Sequence, residues 1–278
     1  MTDEPITTEN LLNAKPPESE IITNLRDVKH KIMVMSGKGG VGKSTVAANL
    51  AASLAERGLE IGLLDCDIHG PTIPKLFGVE NEKPNVDDNG LLPVPVSPHL
   101  KIMSIGFFLD DNDSPVIWRG PAKMGAIKQF IEEVSWGKLD YLIIDLPPGT
   151  GDEPLSVAQL IPDCDGAIVV TTPQDVALVS VRKSINFVKT VKIPVIGMVE
   201  NMSGIVCPHC NETIDVFGSG GVSKAASDFG VRILGTLPIE PAVASGGDSG
   251  KVFAGKGGTS QWHTEFEKIV DAVVEIDE

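Results

Sequence analysis

No apolar stretch of this 278-residue chain approaches the ~20 residues that a membrane-spanning helix needs. Its first twenty residues are polar and acidic and lack the apolar centre of a secretion signal. Cysteine is scarce as well: there are four, two of them in one short motif, which is not the disulfide framework of a secreted domain. Positive charge is the third deficit. With 23 Lys and Arg against 38 Asp and Glu, the net charge is -15, which argues against a nucleic-acid-binding face and against docking on anionic lipid. The expectation is a cytoplasmic protein with neither nucleic acid nor membrane as partner. A hydrophobic content of 42% and a charged content of 22% suit a globular chain with a sizeable core.

What is present begins with an apolar run, Ile32-Met33-Val34-Met35, followed by Ser36 and a glycine-rich stretch, then by an Ala/Leu-rich helical run from Val46 to Glu56. Strand, glycine-rich turn and helix in that order are the context of a phosphate-binding loop. Gly37, Lys38, Gly39, Gly40, Val41, Gly42, Lys43, Ser44 and Thr45 contain the full G-x-x-x-x-G-K-[ST] pattern. Glycines let backbone N–H groups approach phosphate oxygens, and the helix directs its positive end at the anion. Lys43 is expected on the β/γ-phosphates and the Ser44 hydroxyl on Mg²⁺. A further strand, Tyr141 to Asp145, ends in a carboxylate, as a Mg²⁺-supporting segment should, and runs straight into Leu146-Pro-Pro-Gly-Thr-Gly-Asp152. Asp145 is expected to hold Mg²⁺ through water.

The extra lysine, Lys38, gives Gly-Lys-Gly-Gly-Val-Gly-Lys-Ser-Thr, which resembles the deviant phosphate loop of the MinD, ParA and nitrogenase iron protein class. That resemblance implies an α/β P-loop NTPase fold, a mostly parallel sheet of seven or eight strands with helices on both faces. It also implies a sandwich dimer, in which Lys38 reaches the nucleotide of the other subunit, as an arginine finger does in trans. By the same likeness Asp65-Cys-Asp-Ile-His-Gly-Pro71 is a first switch, with Asp67 activating the attacking water and Asp65 near Mg²⁺; the alternative is that both carboxylates cap the next helix. The 146–152 run is a second switch. Asn201, in Glu-Asn-Met-Ser, reads the adenine edge, which favours ATP, with Pro238 bordering the base; a turn-forming asparagine is the alternative. Arg119, in Ile-Trp-Arg-Gly-Pro, is a further cation to watch, for phosphate pairing or for an ordinary surface ion pair.

Cys207-Pro-His-Cys210 supplies two thiolates at metal-ligand spacing, half of a four-thiolate set, and the chain has no second pair. A two-fold axis would complete it. A redox dithiol or a structural Zn²⁺ shared by two subunits are the alternatives. The motifs above, in this order and joined by Phe217-Gly-Ser-Gly-Gly221, resemble the Mrp/ApbC family of P-loop iron–sulfur cluster carriers over about residues 28 to 255. The likeness implies a slow ATPase whose homodimer holds one [4Fe-4S] cluster through Cys207 and Cys210 of each subunit and passes it to apo iron–sulfur proteins. The rival is a MinD/ParA-like positioning ATPase with zinc at the cysteines, but the acidic C-terminal stretch lacks the basic amphipathic character it would need. The expected organisation is a flexible acidic arm over 1–28 and a single ATPase domain over 29–278.

Overall fold

The computed structural model describes residues 23–88, 90–108, 120–207, 209–210, 212–218, 220–253 and 258–277. Arg119, Pro208 and most of the expected arm lie outside them. The strands are β1 (Val28–Met35), β2 (Ile61–Asp65), β3 (Asn85–Asp87), β4 (Gly90–Leu92), β5 (Val94–Ser97), β6 (Leu100–Ser104), β7 (Leu139–Asp145), β8 (Gly166–Thr171), β9 (Val195–Glu200), β10 (Ile205–Val206), β11 (Thr213–Ile214) and β12 (Ile233–Thr236). The helices are α1 (Lys43–Glu56), α2 (Ile73–Leu76), α3 (Gly120–Glu133), α4 (Asp152–Leu160), α5 (Asp175–Thr190), α6 (Gly221–Phe229), α7 (Pro241–Asp248) and α8 (Gln261–Val274).

Eight strands form one sheet in the order β12-β9-β8-β1-β7-β2-β6-β5. Every pairing is parallel except that of β5 with β6. Consecutive residues of β2 and β8 are all buried, and so are the last five of β1. Successive side chains of a strand point to opposite faces, so such runs require cover on both. Helix α1 packs on β1, β2 and β7, while α5 packs on β8 and β9.

The strand order places the site. From β1 the chain moves to β2 and β6 on one side, returns with β7 between β1 and β2, and continues with β8 on the other side. A crevice therefore opens at the carboxyl end of β1, where ligands bind in open α/β sheets. Register puts Asp65 beside Asp145, and Asp145 beside Val34, so both carboxylates stand level with the end of β1.

The chain joins the fold earlier than its composition suggests. Thr23–Leu25 forms a 3₁₀ turn, Leu25 is 1% exposed, and Val28 already belongs to β1. The weak apolar spacing of Leu25 and Val28 hid two core side chains within a polar stretch.

Candidate nucleotide and cysteine sites

The loop after β1 is shaped by where a side chain cannot go. A Cβ on Gly37 would lie 2.4 Å from the Ser180 carbonyl oxygen, and one on Gly42, whose φ is +83°, would lie 2.2 Å from Asn201 Nδ2. The loop is thus wedged between α5 and the segment after β9. By contrast, Cβ atoms on Gly39 and Gly40 would meet nothing within 4 Å, so this part of the loop faces open space. Ser36 Oγ donates to the Lys38 carbonyl at 2.9 Å, and the Gly149 N–H donates to the Ser36 carbonyl at 2.8 Å, tying the second switch segment to the loop. Gly42 caps α1 without a side-chain bond, which leaves first-turn N–H groups available to an anion.

Below the loop lies a compact charged cluster. Lys43 Nζ donates to Asp145 Oδ1 at 2.7 Å, and Ser44 Oγ donates to Asp145 Oδ2 at 2.5 Å. Lys43 is 6% exposed and Asp145 fully buried. Burial raises the Asp145 carboxyl above the usual range, opposed by Lys43. Asp65 is also fully buried: its oxygens accept from Ser104 Oγ at 2.9 Å, the Asp67 N–H at 3.1 Å and the Ile73 N–H at 3.4 Å. Burial, reinforced by Asp145, pushes its carboxyl up to about 7. These bonds fasten the turn after β2 to the start of α2. Asp67 is half-buried, accepts from the Gly70 N–H at 3.3 Å and is raised by burial. His69 Nε2 approaches Glu153 Oε1 at 3.2 Å, joining the two switch segments.

Two adjoining cavities meet at Gly42, Thr45 and Thr72. One, of about 270 Å³, is lined by Gly39, Gly40, Lys43, Ser44 and Asp67; the other, of about 350 Å³ and mostly apolar, is lined by Asn201, Met202, Leu237 and Pro238. The structure thus brings together the loop, Asp67, Asn201 and Pro238. The Asn201 side chain donates from Nδ2 to the Val41 carbonyl at 2.9 Å, a bond to the loop that residue spacing does not reveal. Lys38 is exposed and has no ion pair among the described residues. Ser36 and Ser104, which hold the loop and Asp65, escape sequence reasoning. The only signal is a small polar residue at the buried end of an apolar strand, as in Met-Ser36 and Met-Ser104.

The cysteine motif stands elsewhere, in the hairpin of β10 and β11. The Cys207 N–H donates to the Glu212 carbonyl at 2.9 Å; Cys207 is half-exposed and Cys210 exposed. Backbone N–H groups of His209 and Cys210, with the Cys210 thiol, hold the Cys207 thiol below its ordinary value, which favours the thiolate that a metal binds. Among the described residues no group of three or more His, Cys, Asp or Glu side chains is placed to hold a metal ion. The other two cysteines are of a different kind. Cys66 is buried, and burial together with Asp65 raises its thiol; Cys164 donates to the Lys31 carbonyl at 3.3 Å, and burial pushes it to about 11.

Residues 27–274 match the family described as NUBPL iron-transfer P-loop NTPases. The chain is 51% identical over 258 residues to the iron-sulfur cluster carrier protein of Methanocaldococcus jannaschii, covering 93% of this chain and 88% of that one. It is 51% identical over 224 residues to the cytosolic Fe-S cluster assembly factor CFD1 of Kluyveromyces lactis, covering 78% and 79%. Among solved structures it resembles a nucleotide-binding protein of Archaeoglobus fulgidus in complex with ADP, in which cobalt was found. That likeness has a TM-score of 0.75 at 41% identity over 87% of this chain and 94% of that one. The cell division ATPase MinD of Pyrococcus furiosus shares the fold, with a TM-score of 0.63 at 21% identity over 90% and 100%.

Proposed function

Because the chain belongs to the NUBPL iron-transfer P-loop NTPase family, we propose that it is an ATP-dependent iron–sulfur cluster carrier: a homodimer that holds one [4Fe-4S] cluster as cargo and passes it to apo-proteins in the cytosol. One observation carries this reading. The chain presents two thiols at metal-ligand spacing on one hairpin, with no third ligand among the described residues. A second copy related by a two-fold axis brings the other two sulfurs.

The nucleotide half follows from the buried cluster. The oxygens of Ser44 and Asp145, hard donors 2.5 Å apart, suit a magnesium ion, which when bound neutralises charge on the β- and γ-phosphates. Phosphate oxygens compete with Asp145 for the Lys43 ammonium. Asp67 sits in the phosphate cavity, and its burial brings its basicity closer to neutral pH, as a group that takes a proton from attacking water requires. Asn201 gives one of its two amide N–H donors to Val41, which fixes the amide and leaves its carbonyl oxygen to accept from the adenine amino group, with Pro238 along the ring. Lys38, exposed beyond the loop, serves the nucleotide of the partner, and hydrolysis is slow because both copies must assemble first.

The positioning-ATPase reading has no observation of its own. Helix α8 buries Trp262, Phe266, Ile269, Val270 and Val273, so its apolar face is occupied by the fold. No described helix is long and apolar enough to cross a membrane. The test is anaerobic reconstitution with iron and sulfide, followed by sizing and metal analysis. The expected product is a dimer carrying a single four-iron cluster; a monomer that retains its iron, or protein that takes only zinc, overturns the proposal.

A further inference from the structure

The apolar cavity beside Asn201 has two walls from distant parts of the sequence. Thr72, Lys75 and Leu76 come from the end of the first switch and α2, whereas Val243, Ala244 and Gly247 come from α7. What joins the walls is a contact between backbones. Gly250 has φ +71°, and a Cβ there would lie 2.5 Å from Gly78 Cα and 2.8 Å from Gly78 N. Gly78 has φ +67°, and its own Cβ would lie 3.3 Å from Gly250 Cα and O. One turn earlier, a Cβ on Gly247 would lie 2.9 Å from Leu76 Cδ2. At Gly250 the clash is with backbone and leaves no room for a side chain, the approach at Gly78 is milder, and the positive φ of both favours glycine independently.

The other end of the same segment is also fixed. Asp65 accepts from the Ile73 N–H and the Asp67 N–H, so residues 65–78 run from the phosphate cavity to the glycine contact with an anchor at each end. Asp67 lies between the anchors. We infer that the Gly78–Gly250 contact is a positioning element for ATP hydrolysis: it binds the segment carrying Asp67 to the helix that walls the base cavity, so that a base seated there sets the first switch. The inference rests on the nucleotide reading above and adds a role for the base in turnover as well as in affinity.

Binding of MgATP and of inorganic tripolyphosphate, which has no base, is measured by calorimetry on the dimeric protein, with ATP turnover alongside. Gly250→Ala forces the two backbones apart. It is expected to weaken ATP about tenfold and to lower kcat, while tripolyphosphate stays within about twofold. Gly230→Ala is the control for strain alone, because that residue has φ +64° with nothing within 4 Å of its Cβ; it leaves both ligands unchanged. Gly78→Ala, with its milder 3.3 Å approach, gives the Gly250→Ala pattern at smaller amplitude and carries the test if the first variant does not fold. Equal weakening of both ligands, or ATP values for Gly250→Ala and Gly78→Ala that match Gly230→Ala, overturns the inference. Wild-type protein that binds no ATP overturns the nucleotide reading itself.

Discussion

The phosphate cleft satisfies itself within one chain: Lys43, Ser44 and Asp145 bond one another, and Asp65 takes three donors from its own neighbourhood. The cysteine hairpin is the reverse. Two strands of two residues each hold a pair of sulfurs at the surface, where Cys210 Sγ lies 3.9 Å from a Glu212 carboxylate oxygen. Buried, cross-bonded groups keep their geometry without help, whereas thiols open to solvent complete their set of partners only when something binds them. The nucleotide cleft is therefore preformed, whereas the cysteine pair stays open to what binds it.

The sharpest way to break that contrast is to remove one sulfur. Cys207→Ala or Cys210→Ala is expected to abolish cluster retention in the reconstituted protein while ATP affinity stays within about twofold, because neither cysteine lines the nucleotide cavities. A parallel loss of ATP binding would show that the two regions are one. The next largest effect separates the two lysines of the loop. Lys43→Ala should weaken nucleotide binding by at least about 100-fold, and it leaves Asp145 buried without its cation, at about 3 kcal/mol of stability in a urea titration. Lys38→Ala should leave binding nearly intact and slow hydrolysis by about 100-fold. Equal binding defects in the two variants would remove the trans role of Lys38.

The smallest effect sharpens the picture of the cleft as a preformed acid cluster. Asp65 has a carboxyl raised in the fold to about 7, so the folded chain holds this proton at pH values where the unfolded chain has released it. Its stabilising contribution is whole below about pH 4 and is lost as the pH rises towards 7. The half-buried Asp67 contributes in the same sense. Asp65→Asn should therefore flatten the decline in stability between pH 5 and pH 8, measured by urea denaturation; an unchanged slope would place the titration elsewhere.

Local pattern carried much of this into the sequence. Apolar runs leading to Ser36, Asp65, Asp145 and Glu200 mark strand ends, and strand, glycine-rich turn and helix in that order mark the loop, whereas the mostly parallel sheet was implied by the family resemblance. The helix after the loop was legible from the Ala/Leu-rich run, Val46 to Glu56. The start of the fold was not, because Leu25 and Val28 are isolated apolar residues whose burial depends on partners far along the chain. Nor was α7, since Pro241–Asp248 contains two glycines that weaken a helical pattern; Glu240 caps it by accepting from the Ala242 N–H at 3.3 Å. The Asn201 bond to Val41 spans 160 positions and leaves no local trace.

Asn201 and Cys207 are six residues apart, a reach of at most about 21 Å even at full extension. The strip between them is bolted twice, by the Ser203 N–H to the Leu237 carbonyl at 2.9 Å and by the Ile239 N–H to the Gly204 carbonyl at 2.7 Å. Those bolts leave only Ile205 and Val206 as the lever arm. The first sulfur thus hangs two residues from a strip fastened to Leu237 and Ile239, which also line the base cavity.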